Sequence, residues 1–356
     1  NPIKPGNRFN DLNNNGIQDA GEASKTIAER ESYWYKKVKG KLQVSPRFGA
    51  SFPITDRGII HFSYGHFFQI PRFELLYQNP YFKLGSGTGN LGVVGNADLK
   101  PEMTINGEVG LQQQLTEDIS MDITGYFRDI RDLSGTRADE IVLFGGSASY
   151  NKYVNSDFGF IRGIIFSLNK RFSGGLSATF DYTLQVAKGS ASDPQEARNA
   201  LAGGSLPEVQ LTPLSWDQRH TVNTTLTYSN VGWGGSVIAQ FGSGQPYTPR
   251  RSEDITSLLT NSQFKPSTFN VDVRLHRQIK LGSLNSTIFL RVFNLFDIKN
   301  ENGVYDDTGR AGFTTDKDRL KRTGVKEIVN TIDEWFTNAS YYSEPRRIEL
   351  GFIIDF

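Results

Sequence analysis

No cysteine occurs in the 356 residues. That excludes disulfides, thiolate nucleophiles and cysteine-bearing zinc sites, and it leaves the compartment open. Histidine is scarce. His61, His66, His220 and His276 show no HExxH spacing and read as lumen or interface residues rather than a metal set. Neither a GxSxG string nor a GxxxxGKS/T phosphate loop is present. Carboxylates are plentiful but spread through polar segments as solvated surface, with no pair that reads as a glycosidase site. An enzyme is therefore not expected. A net charge of +1 argues against a nucleic-acid binder working through a basic surface. No run of eighteen apolar residues occurs, so no transmembrane helix is expected. That last absence says nothing of a membrane barrel, whose strands alternate lipid-facing and lumen-facing residues and give a weak signal each. The chain opens on Asn-Pro-Ile with neither Met nor signal sequence, which reads as an internal start in a longer precursor.

Aromatic residues are abundant for so polar a chain: 12%, with 25 Phe and 14 Tyr. The last residues, EPRRIELGFIIDF, place Ile348, Leu350, Phe352, Ile354 and Phe356 opposite Arg347, Glu349, Gly351, Ile353 and Asp355, a period of two. LSATFDYTLQV (176–186), ISMDITGYF (119–127), HTVNTTLTY (220–228) and FNVDVRLHR (269–277) alternate likewise. Along the chain this predicts about eleven strands of roughly ten residues each, the length of a tilted bilayer crossing. Connections alternate in length. TDRG (55–58), TED (116–118), SGG (173–175), SNVG (229–232) and GSLN (282–285) are tight turns, whereas 68–102, 131–152, 189–216, 245–266 and 297–343 are long and polar. Loops that long need a reason in a compact domain. Short turns at one end and long loops at the other are the layout of outer-membrane barrels. The alternation alone also suits a water-soluble sandwich, whose apolar face would meet a second sheet. The one-sided loops and the aromatic content favour an all-β antiparallel transmembrane β-barrel with long extracellular loops and short periplasmic turns.

Several strings resemble, in order, the barrel segments of TonB-dependent receptors. They are SYGHFFQIPRFELLY (63–77), NADLKPEMTINGEVGLQ (96–112), WDQRHTVN (216–223), GSGQPYTPR (242–250) and RVFNLFDIKNENGVYDDTG (291–309). NxxLKPE before a strand carrying Glu108 is the most specific, and NLFD followed by an extended loop and a short strand ending in Phe is the family's usual close. The resemblance covers about 41–356 and looks like the C-terminal half of a barrel of roughly 22 strands. It implies an outer-membrane protein of a Gram-negative bacterium that takes up a scarce small-molecule, peptide or glycan ligand through its loops and lumen. It also implies contact with outer-membrane lipid, and with TonB through a plug domain that this chain does not resemble and that would lie upstream. Residues 1–40 would then be part of an extracellular loop. The resemblance further gives Phe356 a role in the strand signal read by the barrel-insertion machinery. Each string also has a plain structural role: Pro101 fixes chain direction before a strand, Tyr247 suits a membrane interface, and Trp216 suits an aromatic girdle with Arg219 and His220 facing lumen or headgroups. Two other readings stand beside the receptor: a passive outer-membrane channel or adhesin, and a secreted glycan-binding β-protein.

FNDLNNNGIQDAGE sets Asp11, Asn13, Asn15, Asp19 and Glu22 at relative positions 1, 3, 5, 9 and 12, with Gly16 at position 6. Those are the spacings of a calcium-wrapping EF-hand loop, and oxygen ligands suit a hard cation. Gln18 stands where a branched apolar residue is usual, and no flanking helices are evident. An Asn/Gly-rich turn without metal fits the same residues. No cofactor is otherwise required. NENGVYDD (300–307) is a poorer version of the same pattern. Val325, Ile328, Val329 and Ile332 are spaced for a short amphipathic helix within the last long loop.

Overall fold

The computed structural model describes residues 9–13, 17–26, 28–29, 38, 40–79, 88–137, 139–143, 146–203, 207, 210–250, 260–282, 284–324 and 329–355. One sheet runs in sequence order through β1 (Arg47–Thr55), β2 (Gly58–Gln69), β4 (Glu102–Gln114), β5 (Ile119–Thr136), β7 (Ala148–Ser173), β8 (Leu176–Gly189), β10 (His220–Asn230), β11 (Trp233–Gly242), β14 (Thr268–Leu281), β15 (Leu284–Phe293) and β16 (Arg347–Asp355). Each is antiparallel to the next. The short strands β3 (Gly89–Val94), β6 (Ile141–Leu143), β9 (Thr212–Pro213), β12 (Pro246–Tyr247) and β13 (Gln263–Phe264) belong to the long connections. Among the described residues the sheet is open, with β1 and β16 as its edges.

The connections fall into two sets. Residues 56–57, 115–118, 174–175 and 231–232 make tight turns, β15 follows two residues after β14, and the long connections span 70–101, 137–147, 190–219, 243–267 and 294–346. Gly174 and Gly175, at φ 60° and 83°, supply the positive φ angles that a two-residue hairpin demands. Both edge strands run from the long-loop end toward the tight-turn end.

Register shows what the two faces are made of. Followed across strands, one row reads Phe52, Ile60, Leu111, Ile123, Phe166, Tyr182, Val222, Phe241, Phe269. The adjacent row reads Gln112, Asp122, Ser167, Asp181, Asn223, Gln240, Asn270. The first is wholly apolar or aromatic; the second is polar from β4 to β14 and continues onto β2 and β1 as Ile59 and Pro53. Its polar part begins beside the tight turns on β4 and ends at the long-loop end of β14. That stagger is the shear of a barrel whose strands tilt.

The apolar face is not a core. Phe52 is 56% exposed and Leu350 77%, with Phe241 and Phe269 exposed as well, and no second layer of the described residues covers them. In water such a face would be a severe aggregation liability, but against hydrocarbon it is matched. The soluble sandwich reading is thereby corrected. Buried apolar side chains sit instead at the long-loop end, where Leu75, Val93, Leu99 and Tyr153 form one cluster and Ile161, Ala187 and Leu214 another.

One expectation changes. Segment 131–152 is not a loop throughout: β5 and β7 keep pairing to Thr136 and Tyr153, and β7 goes on to flank β3 and β6. The Asn/Ser-rich string there reads as loop, yet Ala148, Ser149, Tyr150, Asn151 and Tyr153 are all buried under neighbouring segments, which supplies the packing a strand needs. In the last loop the described helices are α3 (Thr315–Thr323) and α4 (Ile332–Trp335), and the helix expected from Val325, Ile328, Val329 and Ile332 falls largely outside the described residues. Gly324, left-handed at φ 65°, ends α3, and the Thr331–Glu334 capping box starts α4. Val329 is exposed in the bend between them, while Val325, Ile328 and Phe356 lie outside the described residues. Helix α1 (Phe73–Tyr77) follows β2, and α2 (Glu196–Ala202) lies in the 190–219 connection.

Candidate ligand site: the inner wall and the outer loops

The polar face carries linked hydrogen bonds. Ser63 donates to Glu108 at 3.2 Å, the Asn106 amide donates to Glu108 at 2.9 Å, and Arg128 donates to Asn106 at 3.3 Å. Tyr126 donates to Gln185 at 3.1 Å and Ser167 to Asp181 at 2.6 Å. Near the other edge, Glu349 faces Arg347 at 3.2 Å and Arg291 at 3.7 Å. These pairs link side chains to one another along the wall.

At the long-loop end the wall meets a pocket of about 250 Å³, lined by Gln218, Asn223, Gln240, Asn270, Asn300 and Asn302 among others. Amides present donors and acceptors together. Three are committed to structure. Asn300 accepts from Phe269 N at 2.8 Å and donates to Phe269 O at 2.9 Å, Gln218 donates to Ser243 O, and Asn270 donates to Asp272. Asn223 and Gln240 face each other across β10 and β11 in the same polar row.

Buried side chains tie the loops to this wall. Asp217, fully buried, accepts from Ala187 N at 2.9 Å and from Arg219 at 3.3 Å, pinning the 190–219 loop to β8. Asn294, at φ 51°, donates to Ile298 O and Glu344 O at 3.0 Å each, and its backbone N–H reaches Asp272 at 2.9 Å. Tyr153 donates to Gln78 at 3.0 Å, and Asn96 donates to the Tyr153 carbonyl at 2.8 Å. Arg198, from α2, donates to Asn90, which binds Asn151 and Glu140 in turn. Arg250, from the 243–267 connection, is held by Asp306 and Asp316 of the last loop. The Arg310 guanidinium, hydrogen-bonded to Glu301, keeps that carboxyl below the usual range against the opposing effect of burial.

The family description "TonB dependent receptor-like, beta-barrel" matches residues 8–295. The chain belongs to the TonB-dependent receptor β-barrel family. No curated protein sequence matches it. Solved structures with a similar fold include the outer-membrane transporter YddB of Escherichia coli. That chain is 13% identical, with a TM-score of 0.55 over 73% of this chain and 38% of its own. The ferric enterobactin receptor PfeA of Pseudomonas aeruginosa, in a G324V mutant, is 18% identical at 0.54 over 87% and 40%. The copper transporter OprC is 14% identical at 0.50 over 88% and 39%. This TonB-dependent receptor barrel thus spans well under half the length of the structures it resembles. It is an outer-membrane protein of Gram-negative type, in a family of receptors and transporters rather than enzymes.

The family strings now have physical roles. In NADLKPE, Asn96 and the buried Leu99 anchor the loop, Lys100 N–H donates to Asn155 at 2.8 Å, and Pro101 immediately precedes β4. In WDQRH the keystone is Asp217, which pattern reading passed over. Arg219 lies over Phe264 at 5.7 Å, and His220 sits on the apolar face, its Nδ1 2.9 Å from the Tyr182 hydroxyl. His66 is on that face too, and His61 and His276 are on the polar one. In GSGQPYTPR a Cβ at Gly244 would fall on the Lys265 carbonyl, so only glycine fits. Tyr247 is not at the membrane interface. Its hydroxyl lies against Gly309 inside the loop cluster, where burial and then Asp307 raise its pKa.

Of the calcium-patterned residues, Asp11, Asn13, Asp19 and Glu22 lie in a hairpin closed by the Phe9–Ser24 bridge, and Asn15 and Gly16 are outside the described residues. Glu22 accepts from Leu12 N at 2.8 Å and from Asp19 N at 3.0 Å, and Asn13 donates to Asp19 at 2.7 Å. Among the described residues no three acidic or histidine side chains converge as a cation cage. In 300–307 the carboxylates diverge: Glu301 goes to Arg310, Asp306 to Arg250, and Asp307 to Thr314 and Thr315.

Proposed function

We propose that this barrel segment forms one wall of a TonB-driven uptake route, taking a compact, hydrogen-bonding nutrient from the long-loop side and passing it inward. The observation that carries this reading is the polar row from Asn270 and Gln240 down to Asp122 and Gln112, which lies one residue from a wholly apolar row. The amide pocket at its outer end supports first capture of a ligand with both donors and acceptors, such as a hydroxyl- or amide-rich small molecule. Ferric enterobactin and copper, named for two similar structures, show how widely cargo can vary on this fold. The driving force would come from TonB acting on a plug within the complete barrel.

The test is growth of a deletion strain on separately limiting iron, copper and oligosaccharide, with and without functional TonB. The reading expects a defect on one nutrient, restored by the intact gene only when TonB is present. Restoration without TonB would identify a passive channel instead. At equal surface abundance, Asn223→Ala with Gln240→Ala should lower uptake of the responding nutrient roughly tenfold, the cost of one or two lost polar contacts.

A further inference from the structure

The inner wall is unevenly charged. One row across its last strands reads Thr227, Ser236, Arg274, Arg291, Glu349, so two arginines stand directly opposite each other on β14 and β15. Like charges so placed repel, their Cβ atoms being only about 5 Å apart. Elsewhere in the protein guanidinium groups are answered by carboxylates, as Arg250 is by Asp306 and Asp316 and Arg310 by Glu301. Here one carboxylate, Glu349, lies 3.7 Å from Arg291 and closer, at 3.2 Å, to Arg347. Arg274 is exposed and takes part in no ion pair among the described residues. Asp272, two residues away on the same face, is engaged instead by the Asn270 amide and the Asn294 backbone N–H, each at 2.9 Å.

Packing holds one of the facing arginines in place. The Arg291 guanidinium sits over the Phe289 ring at 4.5 Å, and a Cβ at Gly351 would fall on that ring, so glycine at 351 leaves the room that Phe289 occupies. A guanidinium stacked on an aromatic face keeps its N–H edge free for a planar oxyanion. The hydroxyls of Ser236 and Thr227 continue the row beyond Arg274 with further donors. Position ties the pair to the ligand route. Arg274 lies four residues below Asn270 on the same face of β14, ~13 Å along the strand. Asn270 lines the amide pocket, so a ligand moving inward from that pocket meets the arginines next.

We propose that Arg274 and Arg291 form an oxyanion subsite on the inner wall, which receives a carboxylate or phosphate group of the nutrient below the amide pocket. The inference rests on the uptake reading and narrows its cargo to a hydroxyl- or amide-rich anion. Charge complementarity selects that occupant, because two forked donors across one strand gap match the paired oxygens of a carboxylate or phosphate. A neutral ligand would leave the repulsion between the arginines standing.

The full-length protein, purified in mild detergent and sorted for folded material by heat-modifiable migration on gels, is titrated calorimetrically with gluconate, glucose 6-phosphate and glucose. The three share a hydroxylated carbon chain and differ in the charged group. The proposal expects an anionic probe to bind at least tenfold more tightly than glucose, gluconate leading for a carboxylate cargo and glucose 6-phosphate for a phosphate one. Arg274→Gln with Arg291→Gln should abolish that preference and leave glucose binding unchanged. Equal binding of the three probes, absence of binding included, overturns the proposal, and so does an anion preference that survives the glutamine pair. Arginines that serve an acidic side chain of the plug would give no preference in the unaltered protein, which overturns it too. The probe comparison uses unaltered protein, so it decides even if a variant fails to fold. TonB plays no part in it: growth that proves independent of TonB would refute the uptake reading without touching the binding result, and loss of the anion preference would leave the growth test standing.

Discussion

Asp217 shows how much one side chain does at the seam between loop and wall. It is fully buried, and its two oxygens satisfy the Ala187 amide and Arg219. Removing the acceptor would strand a buried N–H, at a cost of about 1–3 kcal/mol. Asp217→Ala should lower the unfolding free energy in urea by that amount, and Asp217→Asn, which keeps an acceptor oxygen for Ala187, by less. Equal losses in the two would show that the carboxylate charge matters more than the amide bond. Glu22 makes a similar clasp within the Phe9–Ser24 hairpin, receiving the Leu12 and Asp19 amides. Glu22→Ala should speed hydrogen exchange at both amides at least tenfold, and unchanged exchange would contradict that role. The strings around these residues stood out in the sequence, but the residue that matters in one of them did not. WDQRH advertises Trp216, Arg219 and His220, whereas the weight of Asp217 comes from burial under a returning loop, and no local pattern records burial.

Elements were legible in proportion to how far a bilayer dictates them. Membrane strands must alternate over about ten residues, so β8, β10 and β14 could be placed from their period alone. Beyond the membrane that constraint lapses. The outer part of β7 was read as loop because its packing comes from distant segments such as Leu75 and Val93. In the last loop the left-handed Gly324 ends α3 well before α4 begins. What joins α3 to α4 is charge: Asp333 receives Lys317 at 2.6 Å and Lys321 at 2.8 Å. Hydrogen bonds from these two lysines bring its pKa down to about 2. A depressed carboxylate contributes above its unfolded value and loses that contribution as pH falls through the folded one. Contact between the helices should therefore hold from neutral pH to about 4, the ordinary carboxylate range, and weaken between there and about 2. Exchange rates across α3 and α4 would show this step, and Asp333→Asn should abolish it. A step retained in the asparagine variant would place the titrating group elsewhere.

At the scale of the molecule, eleven staggered strands separate a hydrocarbon face from a polar wall and gather every long connection at one end. That arrangement was largely readable in the sequence, because hydropathy at period two and the alternation of loop lengths both follow from a bilayer. Cargo was not readable, since capture depends on a few amides brought together from β10, β11, β14 and the last loop. The central claim is that the apolar rows face lipid while the polar rows enclose a hydrated lumen. These 356 residues hold no cysteine, so none within the barrel segment competes for a label placed there. The direct measurement is spin-label accessibility of the full-length protein in bilayers at neighbouring positions, using Phe166→Cys and Leu226→Cys against Ser167→Cys and Thr225→Cys. The account predicts high oxygen and low nickel-chelate accessibility at the first pair and the reverse at the second. Labels at Phe166 and Leu226 shielded from oxygen and chelate alike would contradict it, because that face would then be covered by protein.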